Sequence, residues 1–321
     1  MKKRKQYFLM GIVILILCGM VCWYLFQKNQ VKEDISQLIK ETDSGNIVPE
    51  TEFAHNLSET ETEFMDTKSD ESGAEYVTEG TEKYRGFVID NVLHSVSEGD
   101  IHYHVFFPES YDGTEAYALY FTLPGYEGLY FQGVAANIQS EEFGFEAQKY
   151  NSKMIIVAPQ LNDWGETSAN QTIALVEYFL GHYNIDKKKV YGEGYSGGGE
   201  TMSLVMGKRP DLFTAYLQVS SKWDGAYEPV AEAHLPVYFA IGRNDEYYGS
   251  EPTIQAYQTL HELYEKQGLT EEEIEKLLVL DVKEHSYFTE RNAPNEHGGG
   301  GFFAYDDEIM GWLFSQGGES K

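Results

Sequence analysis

Lys189-Val190-Tyr191-Gly192-Glu193-Gly194-Tyr195-Ser196-Gly197-Gly198-Gly199-Glu200-Thr201-Met202-Ser203-Leu204-Val205-Met206 is the stretch on which the reading of this chain turns. Its first residues read as a strand over 188–192 and its last as a helix over 198–208, with Gly-x-Ser-x-Gly between them. That pattern makes physical sense at a sharp strand-to-helix turn. The serine there takes a strained conformation, and small neighbours let strand and helix approach closely. The start of the following helix offers the Gly197 N–H to negative charge developing beside Ser196. Ser196 is thus the candidate nucleophile.

Working outward, strands are expected at 86–93, 101–107, 117–123, 154–158, 188–192, 215–220, 236–241 and 278–283. Helical stretches fall between them, near 138–149, 168–181, 198–208, 252–267 and 305–315. The first two strands read as an antiparallel pair, and strand–helix alternation begins with the third. The fold class expected is α/β, a mostly parallel, doubly wound sheet flanked by helices. In such sheets the loops after the carboxyl ends of strands collect the ligand site.

From about 84 to 321 the chain resembles the α/β-hydrolase superfamily, above all bacterial extracellular esterases of the feruloyl-esterase and polyhydroxyalkanoate-depolymerase type. It is also similar to prolyl-oligopeptidase-like serine hydrolases. The resemblance rests on Leu123-Pro124-Gly125-Tyr126-Glu127-Gly128, the Gly194–Gly199 turn, Gly242-Arg243-Asn244-Asp245-Glu246, and Glu296-His297 with the four glycines that follow. The order Ser, Asp, His is the superfamily's order. The resemblance implies an acid in the exit loop after 236–241, where Asp245 is the candidate and Glu246 its neighbour. It implies a histidine after the last strand, where His297 stands ahead of His285. His297 lies in a Gly-rich loop before a final amphipathic helix, whereas His285 falls at a strand end whose direction the pleat fixes. A second oxyanion donor is implied in Pro124-Gly125-Tyr126. Pro124 stands where relatives often carry histidine and has no N–H, so Tyr126 is chosen, with Gly125 next. Trp164, Trp223 and Tyr247, aromatics on strand-exit loops, are weaker candidates for lining the substrate. Glu200, early in the helix after the turn, is a candidate to orient the site or a plain solvated residue. No metal and no organic cofactor is implied.

The chain has 321 residues, 24 Lys+Arg against 52 Asp+Glu, and a net charge of −28. That balance excludes a nucleic-acid binder, which needs basic surface to neutralise phosphates. Its two cysteines, Cys18 and Cys22, both lie in the first apolar run, which excludes a disulfide framework or a Cys-rich zinc site in the body. Lys2, Lys3, Arg4 and Lys5 form a basic tail, 1–6, before the uncharged run Tyr7–Phe26. Twenty residues in a helix span roughly 30 Å of hydrocarbon. The run ends in Trp23 and Tyr24 without a small-x-small cleavage site, so 7–26 reads as an uncleaved single-pass anchor in the lipid bilayer. The basic tail is expected in the cytoplasm and the rest outside the cell. Residues 27–83 hold 15 acidic residues and 5 lysines and read as an extended acidic linker before a catalytic domain over 84–321. The expected activity is hydrolysis of carboxylic esters on a small molecule or an acylated polysaccharide. A serine peptidase and a surface binding module on a dead hydrolase fold are the other readings. A complete Ser/Asp/His set speaks against the last.

Overall fold

The computed structural model describes residues 74–317. The expected tail and anchor, and most of the expected linker, lie outside these residues. Among the described residues no helix is long and apolar enough to cross a membrane.

Ten strands form one mixed sheet: β1 (Tyr76–Thr78), β2 (Glu82–Tyr84), β3 (Phe87–Ser95), β4 (Gly99–Phe106), β5 (Tyr117–Leu123), β6 (Met154–Pro159), β7 (Ile185–Tyr195), β8 (Ala215–Val219), β9 (Val237–Gly242) and β10 (Leu278–Lys283). The order is β1-β3-β4-β6-β5-β7-β8-β9-β10, with β2 also paired to β3. The early strands pair antiparallel, and every pairing from β6 through β5 to β10 is parallel. The longer helices are α1 (Glu166–His182), α2 (Gly197–Lys208), α3 (Glu251–Lys266) and α4 (Asp307–Ser315).

Every residue of β5, β6, β8 and β9 is buried. Such continuous apolar runs are what a parallel sheet covered on both faces requires. Successive residues alternate between two cores. Leu119, Phe121 and Leu123 of β5 join Met202, Val205 and Leu260 in one. Ala118 and Tyr120 join Phe143, Ile309 and Leu313 in the other. From β5 the chain crosses to β6 on one side, then returns across β5 to β7 on the other. The loops after β5 and β7 therefore face each other at the carboxyl ends of neighbouring strands, the crevice where such sheets take ligands.

Two expectations are corrected. The folded domain begins ahead of residue 84: Tyr76, Val77 and Thr78 pair with His94, Leu93 and Val92, and β2 pairs with Val88 and its neighbours. These strands are three residues long and largely exposed, so they carry no apolar alternation to read. The helix expected at 138–149 is broken. Ala136–Ser140 ends at Glu141, whose backbone is extended (φ −132°, ψ 149°), and a new turn starts at Phe143.

Candidate active site

Ser196 stands alone between β7 and α2, at φ 53° and ψ −120°. Such a conformation is costly for a residue with a Cβ and persists only where surroundings enforce it. Two bonds enforce it here. The Ser196 N–H donates to the Val219 carbonyl at 2.9 Å, and its carbonyl accepts from Ser221 Oγ at 2.6 Å. Crowding does the rest: a Cβ on Gly194 would stand 2.6 Å from the Gly198 carbonyl oxygen across the turn.

The β9 exit loop carries Asp245, which is buried, and the loop before the Gly298–Tyr305 3₁₀ helix carries His297. Ser196 Oγ lies 3.0 Å from His297 Nε2, and His297 Nδ1 lies 2.8 Å from Asp245 Oδ2. The other carboxylate oxygen of Asp245 accepts the Tyr247 and Tyr248 N–H groups at 3.0 and 2.8 Å, which fixes its plane. The arrangement lets the imidazole take a proton from the hydroxyl with one nitrogen while the carboxylate holds the other.

Four further residues hold the constellation in place. Glu246, the neighbour of the acid, does not face His297 as a substitute for Asp245. Its carboxylate accepts the N–H groups of Glu296 and His297 at 2.9 and 3.0 Å. Glu296 answers in the opposite direction, accepting the Asn244 N–H at 2.7 Å and its Nδ2 at 3.1 Å. Its burial favours the neutral acid, yet these bonds and the one from His285 outweigh that and hold its pKa below the ordinary carboxylate range. Tyr195 donates its hydroxyl to the His297 carbonyl at 2.8 Å. Tyr248 packs its ring 5.5 Å from the His297 ring and donates its hydroxyl to Glu200 at 2.6 Å. None of these four has a spacing signature, because a carboxylate or phenol reaching a backbone group or a side chain far along the chain leaves no pattern in the sequence. Glu200 is therefore tied to the site through Tyr248, and Lys222 stands 3.7 Å from its carboxylate.

His285 lies away from Ser196. It opens a short helix, His285–Thr289, directs Nδ1 to Glu296 at 2.9 Å, and leaves 70% of its side chain exposed. Trp223 is corrected: it is buried in the core between Tyr227 and Phe239, and its indole N–H is spent on the Gly225 carbonyl at 2.9 Å. Trp164 lies against Gly197 and stacks on Tyr126 at 5.7 Å. Tyr247 is 73% exposed with its ring 5.3 Å from that of His297.

A cleft of about 360 Å³ opens over Ser196, lined by Gly125, Tyr126, Glu141, Tyr195, Pro294 and His297 among others. Among the described residues the Tyr126 and Gly197 N–H groups have no acceptor in the protein. The Gly125 N–H does have one, the Glu141 carboxylate at 2.5 Å, so Gly125 is not free to donate to a ligand.

The prolyl oligopeptidase family profile matches residues 160–269, the part that holds Ser196 and Asp245. No curated protein matches the chain. Among solved structures, a thermostable esterase is 19% identical with a TM-score of 0.58, over 72% of this chain and 63% of that one. Oligopeptidase B from Leishmania major is 13% identical at a TM-score of 0.46, over 71% of this chain and 37% of that one. S-formylglutathione hydrolase from Staphylococcus aureus is 12% identical at 0.49, over 73% of this chain and all of that one. The chain thus spans about three fifths of the esterase and just over a third of the oligopeptidase. The strand order, the strained serine between β7 and α2, and the likeness to the esterase show that the chain has the α/β-hydrolase fold.

Proposed function

We propose that the chain is a serine hydrolase that cleaves carboxylic esters through Ser196, His297 and Asp245. The observation that carries the reading is the unbroken hydrogen-bond chain of 3.0 and 2.8 Å from hydroxyl to imidazole to carboxylate. His297 Nε2 takes the hydroxyl proton as Ser196 Oγ bonds to the substrate carbonyl carbon. The Tyr126 and Gly197 N–H groups hold the resulting oxyanion. His297 returns the proton to the leaving alcohol as the C–O bond breaks. Water, deprotonated by the same imidazole, then releases the acid. In this reading Trp164, Tyr126 and Tyr247 offer apolar faces to an aryl or sugar-linked ester. Residues 7–26 hold the enzyme at the outer face of the cell membrane. The match over 160–269 favours a second reading, a serine peptidase acting on amides.

A panel of short p-nitrophenyl esters beside peptidyl p-nitroanilides separates the two readings. Ester turnover well above amide turnover is expected. Ser196→Ala lowers it by at least about 10³-fold with the melting curve nearly unchanged. Retained ester hydrolysis in that variant removes the nucleophile, and faster amide cleavage transfers the reading to a peptidase.

A further inference from the structure

The loop after β5 meets Ser196 at close range. A Cβ on Gly125 would lie 3.4 Å from Ser196 Cβ and 3.3 Å from the Tyr195 ring. Pro124 has no N–H, so the donors this loop can present are those of Gly125 and Tyr126. Gly125 is extended, at φ −75° and ψ −166°, and across an extended residue successive N–H groups point to opposite sides. Only one of the two can therefore face Ser196, and which one depends on what holds the other.

Glu141 holds the other. It is the extended residue that interrupts the expected helix, standing between Ala136–Ser140 and Phe143–Glu146. Its N–H is anchored to the Asn137 carbonyl at 3.2 Å, and its carboxyl reaches the Gly125 N–H at 2.5 Å. The Gly125 carbonyl is pinned in turn by the Gly128 N–H at 3.0 Å. Resting on the hydrolase reading, we propose that Glu141 is the positioning residue of the oxyanion site: by taking the Gly125 N–H it turns the Tyr126 N–H toward the charge that develops at Ser196. The group needed here is an acceptor, not a charge. Burial pushes Glu141 up to about 8 against the pull of the Gly125 bond, and Glu127 nearby adds to the rise. In either protonation state a carboxyl oxygen remains to accept the Gly125 N–H. Glutamine offers the same acceptor.

The test uses the intact chain, a p-nitrophenyl ester, and an aryl trifluoromethyl ketone, which adds Ser196 Oγ to its carbonyl and leaves an oxyanion in the same place. Glu141→Ala lowers kcat by about 10²-fold, with KM changed less than about threefold. Ketone affinity falls by the same ~10²-fold, as expected of a donor that acts on the oxyanion. Glu141→Gln restores both to within about fivefold. Wild-type kcat in the alanine variant overturns the proposal. So does a fall in kcat with ketone affinity intact, or a glutamine variant as impaired as alanine. Should the alanine chain not fold, Glu141→Asp, whose shorter side chain falls short of Gly125, must show the same losses, and wild-type values in it overturn the proposal. A wild-type chain inert to every ester and amide sinks the hydrolase reading and this inference together. An active wild type with unaffected Glu141 variants sinks this inference alone.

Discussion

His297 and His285 are twelve residues apart and differ in what their rings face. His297 lies between the Ser196 hydroxyl and the Asp245 carboxylate, while His285 turns to solvent and to Glu296. Proton transfer needs heavy atoms within about 2.6–3.2 Å, which only His297 satisfies. His297→Ala is expected to abolish ester hydrolysis. His285→Ala is expected to keep at least about a tenth of it, a barrier change of ~1.4 kcal/mol or less, because Glu296 retains both bonds from Asn244. Steady-state rates on one ester decide it, and the opposite ranking would move the general base to His285. That Ser196, Asp245 and His297 would meet was legible in the sequence through the resemblance, whose order Ser, Asp, His they follow. Trp223 was misread because an aromatic at a strand exit looks the same in sequence whether its side chain turns to the cleft or into the core. Glu246, Glu296, Tyr195 and Tyr248 were not legible in these roles, since their partners are backbone atoms or residues far along the chain.

Strand β7 carries a carboxyl group into the core three residues before Ser196. Glu193 is fully buried, one of its oxygens accepts the Thr122 hydroxyl at 2.7 Å, and the other has no partner. Burial first, and Glu141 second, raise its pKa well above the ordinary carboxylate value. A carboxyl raised on folding binds more protons folded than unfolded, so its contribution to stability is greatest at low pH and is lost as pH climbs through and beyond the unfolded pKa, near 4.5. Glu193→Gln removes that loss. The variant is expected to melt higher than the wild type at pH 8, by at least about 2 °C, with little difference at pH 4.5. Equal differences at the two pH values would show that Glu193 is not neutral in the fold. The segment after His297 is the element whose form the sequence hid. Four glycines read as a permissive loop, yet Gly298–Tyr305 is a 3₁₀ helix with ordinary dihedrals at those glycines. Small size is what the fold uses there: a Cβ on Gly300 would stand 2.4 Å from Ser220 Oγ and 2.7 Å from the Tyr195 ring.

At the scale of the molecule, eight strands and the four long helices could be read from apolar runs and their spacing, because a covered sheet leaves continuous apolar stretches. The two short first strands could not, because Tyr76–Thr78 and Glu82–Tyr84 sit in an acidic, mostly exposed stretch. The proposed anchor at 7–26 makes its own prediction. Protease added to intact cells is expected to remove the folded body and leave the basic tail protected. Protection of the body would overturn the orientation. Glu246 grips the backbone at 296–297 and Glu296 grips it at Asn244, so the acid loop and the histidine loop are stitched directly to each other. The excursion between them runs through α3 and the helix Glu271–Leu277 before returning along β10. Its tip contributes no bond to the stitch. The turn at 267–270 is therefore a place where insertions, shuffled segments or whole grafted modules can accumulate over evolutionary time while the distance between Asp245 and His297 stays fixed.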